Sequence, residues 1–192
     1  MKKTALKNRY FLMRHGHSVA NEKGIIISSP VRGTSEYGLS EKGKKQVLTA
    51  AENFRGDAPL FIYASDFLRT AETAALLGEA LGIDKIIFTE KLRERFFGEY
   101  EGKSNSFYSD IWKRDIVDCH NNDKGVESPV HVARRTESLI NELEQRHKNC
   151  SLILVSHGDC LQILQTVFQN VPPETHRSLR HLETAEIREM AD

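Results

Sequence analysis

Two short apolar runs, one near each end of the chain, each lead directly into a His-Gly word. Tyr10-Phe11-Leu12-Met13 runs into Arg14-His15-Gly16, and Leu152-Ile153-Leu154-Val155 runs into Ser156-His157-Gly158. Runs of this length bounded by glycine read as buried strands. Open α/β sheets build their ligand sites just beyond the carboxyl ends of strands. A sheet that places these two strands side by side would therefore bring Arg14, His15 and His157 into one pocket. That set can hold a phosphoryl group and accept it covalently.

The rest of the chain alternates strand and helix signals. Gly16 to Leu39 reads as a loop rich in Gly, Ser and Pro. Ser40 caps a helix carrying Val47, Leu48, Ala51 and Phe54 at helical spacing. Leu60 to Ala64 is a second strand. A helix from Leu68 to Leu81 stops at Gly82, where a glycine suits the left-handed C′ position. Lys85 to Thr89 is a third strand, and Tyr108, Ile111 and Trp112 mark a helix over 105–117. His120 to Gly125 reads as an exposed loop. Ser128-Pro129 opens a long helix with Val132, Leu139, Ile140 and Leu143 on its buried stripe. A helix after Gly158 turns Leu161, Leu164, Val167 and Phe168 inward, and Ala185 to Met190 is a last, edge strand. The alternation predicts an α/β fold, a three-layer α/β/α sandwich with a mainly parallel central sheet. No linker separates a second domain, so residues 1–192 are expected to form one.

Composition narrows the function classes. The 192 residues, 39% hydrophobic and 28% charged, describe a water-soluble globule whose net charge is zero. No global field then recruits nucleic acid or an anionic membrane, and anion affinity must come from local cations. No apolar run approaches the roughly 18 residues of a spanning helix. The basic opening, Met1 to Arg9, is broken by Lys7 and Arg9 and makes a poor signal peptide. Cys119, Cys150 and Cys160 are too scattered for a disulfide framework or a zinc site, so a reducing cytoplasm is the expected compartment.

Three further segments end strands with chemically useful side chains, one of them the loop after the first strand with Asn21, Ser28 and Ser29. Ser65-Asp66-Phe67-Leu68-Arg69-Thr70 puts Arg69 in the first turn of a helix, and Glu94 follows the third strand. Convergence of the strand ends would assemble Arg14, His15, Arg69, Glu94 and His157. Two guanidiniums neutralise a phosphate dianion with paired hydrogen bonds. A neutral His15 is a competent nucleophile. His157 as an imidazolium donates to a phosphoryl oxygen, and Glu94 protonates the leaving alkoxide and then activates water. Such a site needs no metal or other cofactor. A metal reading of His15, His17, His157 and Asp159 is disfavoured because Arg14 would repel a divalent cation. Each residue also has a plainer reading: Arg69 a solvated helix residue, Glu94 part of a solvent-facing run, and Arg95, a candidate substrate contact, half of a surface ion pair. His120, His131, His147, His176 and His181 are expected on surfaces, and Cys160 inside.

Four words in order, Arg14-His15-Gly16, Ser65-x-x-x-Arg69-Thr70-x-x-Thr73-Ala74, Glu94-x-x-Phe97-Gly98-x-x-Glu101-Gly102 and Ser156-His157-Gly158, resemble the histidine phosphatase superfamily, also called phosphoglycerate-mutase-like. The resemblance runs from about residue 10 to 170. It implies a phosphohistidine on His15, Glu94 as acid and base, and a phosphate pocket of Arg14, Arg69 and His157. Asn21 sits where the family often has an Asn that positions the phosphate or the nucleophile. Gly158 and Ser28 complete the expected substrate contacts. Where many members carry Glu after the first word, this chain has His17, followed by Ser18 with a hydroxyl close to the phosphate. It has Asn105 in place of the mutases' substrate-binding Lys, and it lacks their long insertion before the second histidine word. The resemblance therefore favours the phosphatase branch: a phosphomonoester hydrolase acting on a small phosphorylated metabolite. The alternatives are a mutase-type phosphotransferase and a catalytically silent phospho-ligand binder. Tyr37, Phe107, Tyr108 and Trp112 are candidate walls for the leaving group. The oligomeric state is left open.

Overall fold

A computed structural model describes residues 6–56 and 60–190; the basic start at Met1 to Ala5 lies outside them. Five strands make one sheet: β1 (Arg9–Arg14), β2 (Leu60–Ala64), β3 (Ile86–Phe88), β4 (Ser151–Ser156) and β5 (Ile187–Met190), in the order β3-β2-β4-β1-β5. All pairs are parallel except β1 with β5, which is antiparallel and leaves β5 at an edge. The helices are α1 (Val19–Lys23), α2 (Pro30–Gly33), α3 (Glu41–Asn53), α4 (Leu68–Leu81), α5 (Tyr108–Val117), α6 (Pro129–Arg146) and α7 (Gly158–Gln169). Among the described residues no helix is long and apolar enough to cross a membrane.

Alternation along the central strands divides the core in two. Tyr10, Leu12, Leu152 and Leu154 point to one face, where Leu139, Ile140 and Leu143 of α6 and Leu161, Leu164 and Phe168 of α7 cover them. Phe11, Met13, Ile153 and Val155 point to the other, under Val47 and Ala51 of α3 and Ala74 and Leu77 of α4. Both faces of β1 and β4 are buried, which is why their sequences are apolar without a polar alternation. The expected three-layer α/β/α sandwich is the observed one.

Local signals set the helix ends. Ser40 accepts from the Gly43 amide and caps α3, and Ser128 accepts from the His131 amide with Pro129 in the first turn of α6. Gly82 ends α4 at φ 66°. Three expectations need correction. The stretch 16–39 is not all loop, because Ser18 and Asn21 form a reciprocal capping box that starts α1, and α2 follows at Pro30. Leu48 is 44% exposed rather than part of the buried stripe of α3. His176 is fully buried, and His181 is bonded to Arg14 instead of facing solvent.

The first turn of α3 lies directly against the chain that leaves β1. A Cβ on Gly43 would stand 2.0 Å from the His17 carbonyl oxygen, and one on Gly16 would stand 2.7 Å from the Gly43 carbonyl oxygen. These are backbone contacts that cannot rotate away. Gly43→Ala should therefore destabilise the fold by about 1–3 kcal/mol in urea titration.

Candidate active site

The site forms where the carboxyl ends of β1, β2 and β4 meet. Because β1 and β4 pair with Arg14 opposite Ser156, the next residue of each strand is a histidine at the same level. The His15 and His157 rings lie 5.2 Å apart. Ser65 follows β2, and Arg69, in the first turn of α4, reaches between the two rings. Its Nε donates to His15 Nε2 and to His157 Nδ1, each at 3.1 Å, and its Nη2 donates to the Ile27 carbonyl at 3.0 Å. Thr73, one turn along α4, accepts from the Gly16 amide at 3.1 Å and ties that helix to the loop after β1.

The hydrogen bonds assign the tautomers. His15 Nδ1 lies 2.7 Å from the Gly16 carbonyl and must donate to it, which leaves a lone pair on Nε2. His157 Nε2 lies 2.9 Å from Ser65 Oγ and donates there, leaving Nδ1 as the acceptor. Burial, then the Arg69 guanidinium, holds both rings well below the usual histidine range. Both are neutral near pH 7. For His15 this is the form expected of a nucleophile; for His157 it replaces the expected imidazolium.

Arg14 is anchored by His181 Nε2 at 2.8 Å and by the Leu182 carbonyl at 3.1 Å, both through Nη1. Its Nε and Arg69 Nη1 are buried donors with no partner among the described residues. A buried unpaired donor costs about 1–3 kcal/mol. Two of them, on guanidiniums flanking an unprotonated imidazole, make a ready site for an anion. Gly158 lies against this clamp: a Cβ there would sit 3.4 Å from Arg14 Nε and 3.1 Å from His181 Cε1.

Glu94 is buried, contrary to its plainer reading. Its Oε1 accepts from the Arg95 amide at 2.9 Å and from the Cys160 amide, in the first turn of α7, at 3.1 Å. Burial and the nearby Asp159 carboxylate raise its carboxyl to about 7, against the opposing pull of Arg69. An acid so placed holds its proton below neutrality and releases it just above.

Arg95 is no surface residue. It is wholly buried, with both terminal nitrogens on Asp115 (2.6 and 2.8 Å), Nη1 also on Asp159 (3.1 Å), and Nε on the Glu127 carbonyl (2.6 Å). Asp159 takes a further bond from Trp112 Nε1 at 2.9 Å. This network clamps α5 to the start of α7 beside Glu94.

The remaining expected contacts go elsewhere. Asn21 Oδ1 accepts from the Ser18 amide and hydroxyl at 3.0 and 2.9 Å, so both side chains take part in the α1 cap. Ser28 donates its amide and hydroxyl to Glu101 and accepts from the Phe97 amide, which fixes the loop. His17 Nδ1 donates to Ser40 Oγ at the cap of α3. Among the described residues no cluster of three or more His, Cys, Asp or Glu is arranged to hold a metal ion. Sequence reasoning passed over Ser65 and His181. Ser65 stands at a strand end and was open to the same argument as Arg69; His181 carries no sequence signal.

Comparison with known proteins gives the family and the fold. The family profile "Histidine phosphatase superfamily (branch 1)" matches residues 10–191. An Erwinia tasmaniensis protein named "Probable phosphoglycerate mutase GpmB" is 27% identical over 175 residues, 88% of this chain and 79% of that one. The glucosyl-3-phosphoglycerate phosphatase of Mycobacterium tuberculosis is 28% identical over 179 residues, 85% of this chain and 76% of that one. The solved structure of a mycobacterial glucosyl-3-phosphoglycerate phosphatase superposes with a TM-score of 0.79 at 26% identity, covering 94% of this chain and 88% of that one.

Two measurements follow from the buried charges. The fold favours neutral Glu94, so that contribution to stability is complete below 4.5 and is lost as pH rises through about 7. Glu94→Gln keeps a carbonyl for the two amides. It should melt above wild type at pH 8, with the difference vanishing toward pH 5. Arg95→Met strands Asp115 and Asp159 without their cation and should cost about 3–5 kcal/mol in urea titration.

Proposed function

The chain belongs to branch 1 of the histidine phosphatase superfamily, and from that premise we propose that it is a phosphomonoester hydrolase working through a phosphohistidine on His15. The observation that carries this reading is the pair of unpartnered guanidinium N–H groups, Arg14 Nε and Arg69 Nη1, beside the lone pair of His15 Nε2. The phosphate dianion binds these donors. Once Arg69 Nε turns from His15 to the bound phosphate, the Nε2 lone pair attacks phosphorus, the P–O bond to the alcohol breaks, and Glu94 passes its proton to the departing oxygen. The resulting Glu94 carboxylate takes a proton from water as that water attacks phosphorus. The P–N bond breaks, its electron pair returns to Nε2, and orthophosphate leaves. His157 joins the phosphate pocket once Nδ1 gains a proton, which an arriving dianion favours by offsetting the field of the guanidiniums.

Transfer to water, rather than back to a second acceptor, is supported by Asn105 where a mutase carries its substrate-binding lysine, and by the short stretch between Glu94 and His157. The names of the relatives, phosphoglycerate mutase and glucosyl-3-phosphoglycerate phosphatase, support a small phosphorylated metabolite as substrate.

A rapid quench with a radiolabelled phosphomonoester tests the reading. Wild type should carry an acid-labile, alkali-stable label that His15→Ala lacks, and should release orthophosphate. With an alkyl phosphate the rate should fall as pH rises above about 7, where Glu94 loses its proton. Glu94→Gln should lower that rate by roughly 10²–10⁴-fold. Absence of both label and orthophosphate across a broad panel of esters would leave a silent binder and sink the proposal.

A further inference from the structure

One aromatic side chain at the site has its ring fixed and its polar atom uncommitted. Tyr108, the first residue of α5, stacks on Trp112 with centroids 5.2 Å apart and planes 7° apart, and meets the buried Phe97 ring edge-on at 4.9 Å. Trp112 is itself held, by its Nε1 bond to Asp159 and by the Arg177 guanidinium 3.6 Å over its ring. The ring of Tyr108 therefore has little rotational freedom. Its hydroxyl makes no hydrogen bond to any other described residue. That hydroxyl lies within electrostatic reach of Glu94, Asp159, Arg69 and Arg14, the groups that surround the phosphate site. Burial and the two carboxylates hold the phenol in its protonated form well above the ordinary tyrosine range, so it is available only as a neutral O–H.

We propose that Tyr108 is a catalytic residue that donates its phenolic O–H to the phosphoryl group held by Arg14 and Arg69. This rests on the reading of the site as a phosphohistidine phosphatase. Stacking on Trp112 and packing on Phe97 need only the ring; the oxygen is superfluous to the wall that α5 builds. A neutral donor has a distinct use in this position. It adds a hydrogen bond to an anion without adding a third cation that would further depress the pocket's histidines. Because the bond goes to the phosphoryl group and not to the leaving oxygen, its contribution does not depend on the alcohol.

Tyr108→Phe, in the full chain, isolates the oxygen. With p-nitrophenyl phosphate as substrate and orthophosphate as competitive inhibitor, the variant should keep the wild-type melting temperature. It should raise the orthophosphate inhibition constant and lower kcat/KM, each on the order of tenfold. The loss should be equal for p-nitrophenyl phosphate and for an alkyl phosphate, whereas that of Glu94→Gln should fall mainly on the alkyl ester, whose leaving group needs a proton. An active wild type whose inhibition constant and kcat/KM are matched by Tyr108→Phe overturns this inference alone, as does a loss confined to the alkyl ester. A wild type that neither hydrolyses esters nor binds orthophosphate overturns the phosphatase reading together with it.

Discussion

The site depends on the register of β1 against β4. Pairing Arg14 with Ser156 sets the two histidines that follow at one level, with the His15 amide bonded to the Ser156 carbonyl at 3.0 Å. The apolar residues of these strands do not lock that register by themselves. Both faces are buried, so a one-residue slip exchanges one apolar face for another and exposes no polar group. The polar ends do the locking. Upstream, Asn8 accepts from the Cys150 amide and donates to Glu144 and the His147 carbonyl. Downstream, the Ser156 hydroxyl donates to the Leu92 carbonyl at 2.6 Å. A slip of β1 against β4 would break the Asn8 bonds and leave those buried groups unpaired, at about 1–3 kcal/mol each.

With the rings fixed, electrostatics separates their roles from that of Glu94. Arg69 and Arg14 surround His15 with positive potential and little water, which removes its proton near neutrality. Glu94 feels the same desolvation, but Asp159 adds negative charge, and both effects keep its proton on. One buried floor thus holds a neutral imidazole beside a carboxyl that keeps its proton up to about 7. Asp159 keeps its influence because Arg95 and Trp112 hold it in place.

How far the sequence discloses all this depends on the range of the interaction involved. The sheet, the two histidines and Arg69 follow from apolar runs, strand ends and a helix start, all read within a few residues. Glu94 is harder: it follows the third strand, but its neighbours Arg93 and Arg95 make a charged run that reads as solvent-facing, and the family words are what favour the buried reading. Arg95 is illegible locally, because its burial depends on Asp115 and Asp159, which the fold delivers from α5 and α7. His181 reaches Arg14 from a stretch with no helical or strand periodicity. Asn21 is the reverse case. Ser18-x-x-Asn21 before a helix is a local capping pattern, and the structure uses it as one, whereas the family resemblance suggests Asn21 only for the phosphate or the nucleophile.

A buried arginine with two aspartates is a poor source of stability, since desolvation offsets most of the attraction. Its value here is geometric. Glu94 Oε1 takes the amide of Arg95, while the guanidinium of the same residue grips Asp115 on α5 and Asp159 on α7. Any shift of this backbone therefore moves the acid and the helix bearing Tyr108 and Trp112 together. An apolar side chain of equal volume could fill the space, but it could not fix the angle of α5 over the site. Two adjacent residues thus couple the floor, where Glu94 is buried, to the wall formed by Tyr108 and Trp112 of α5.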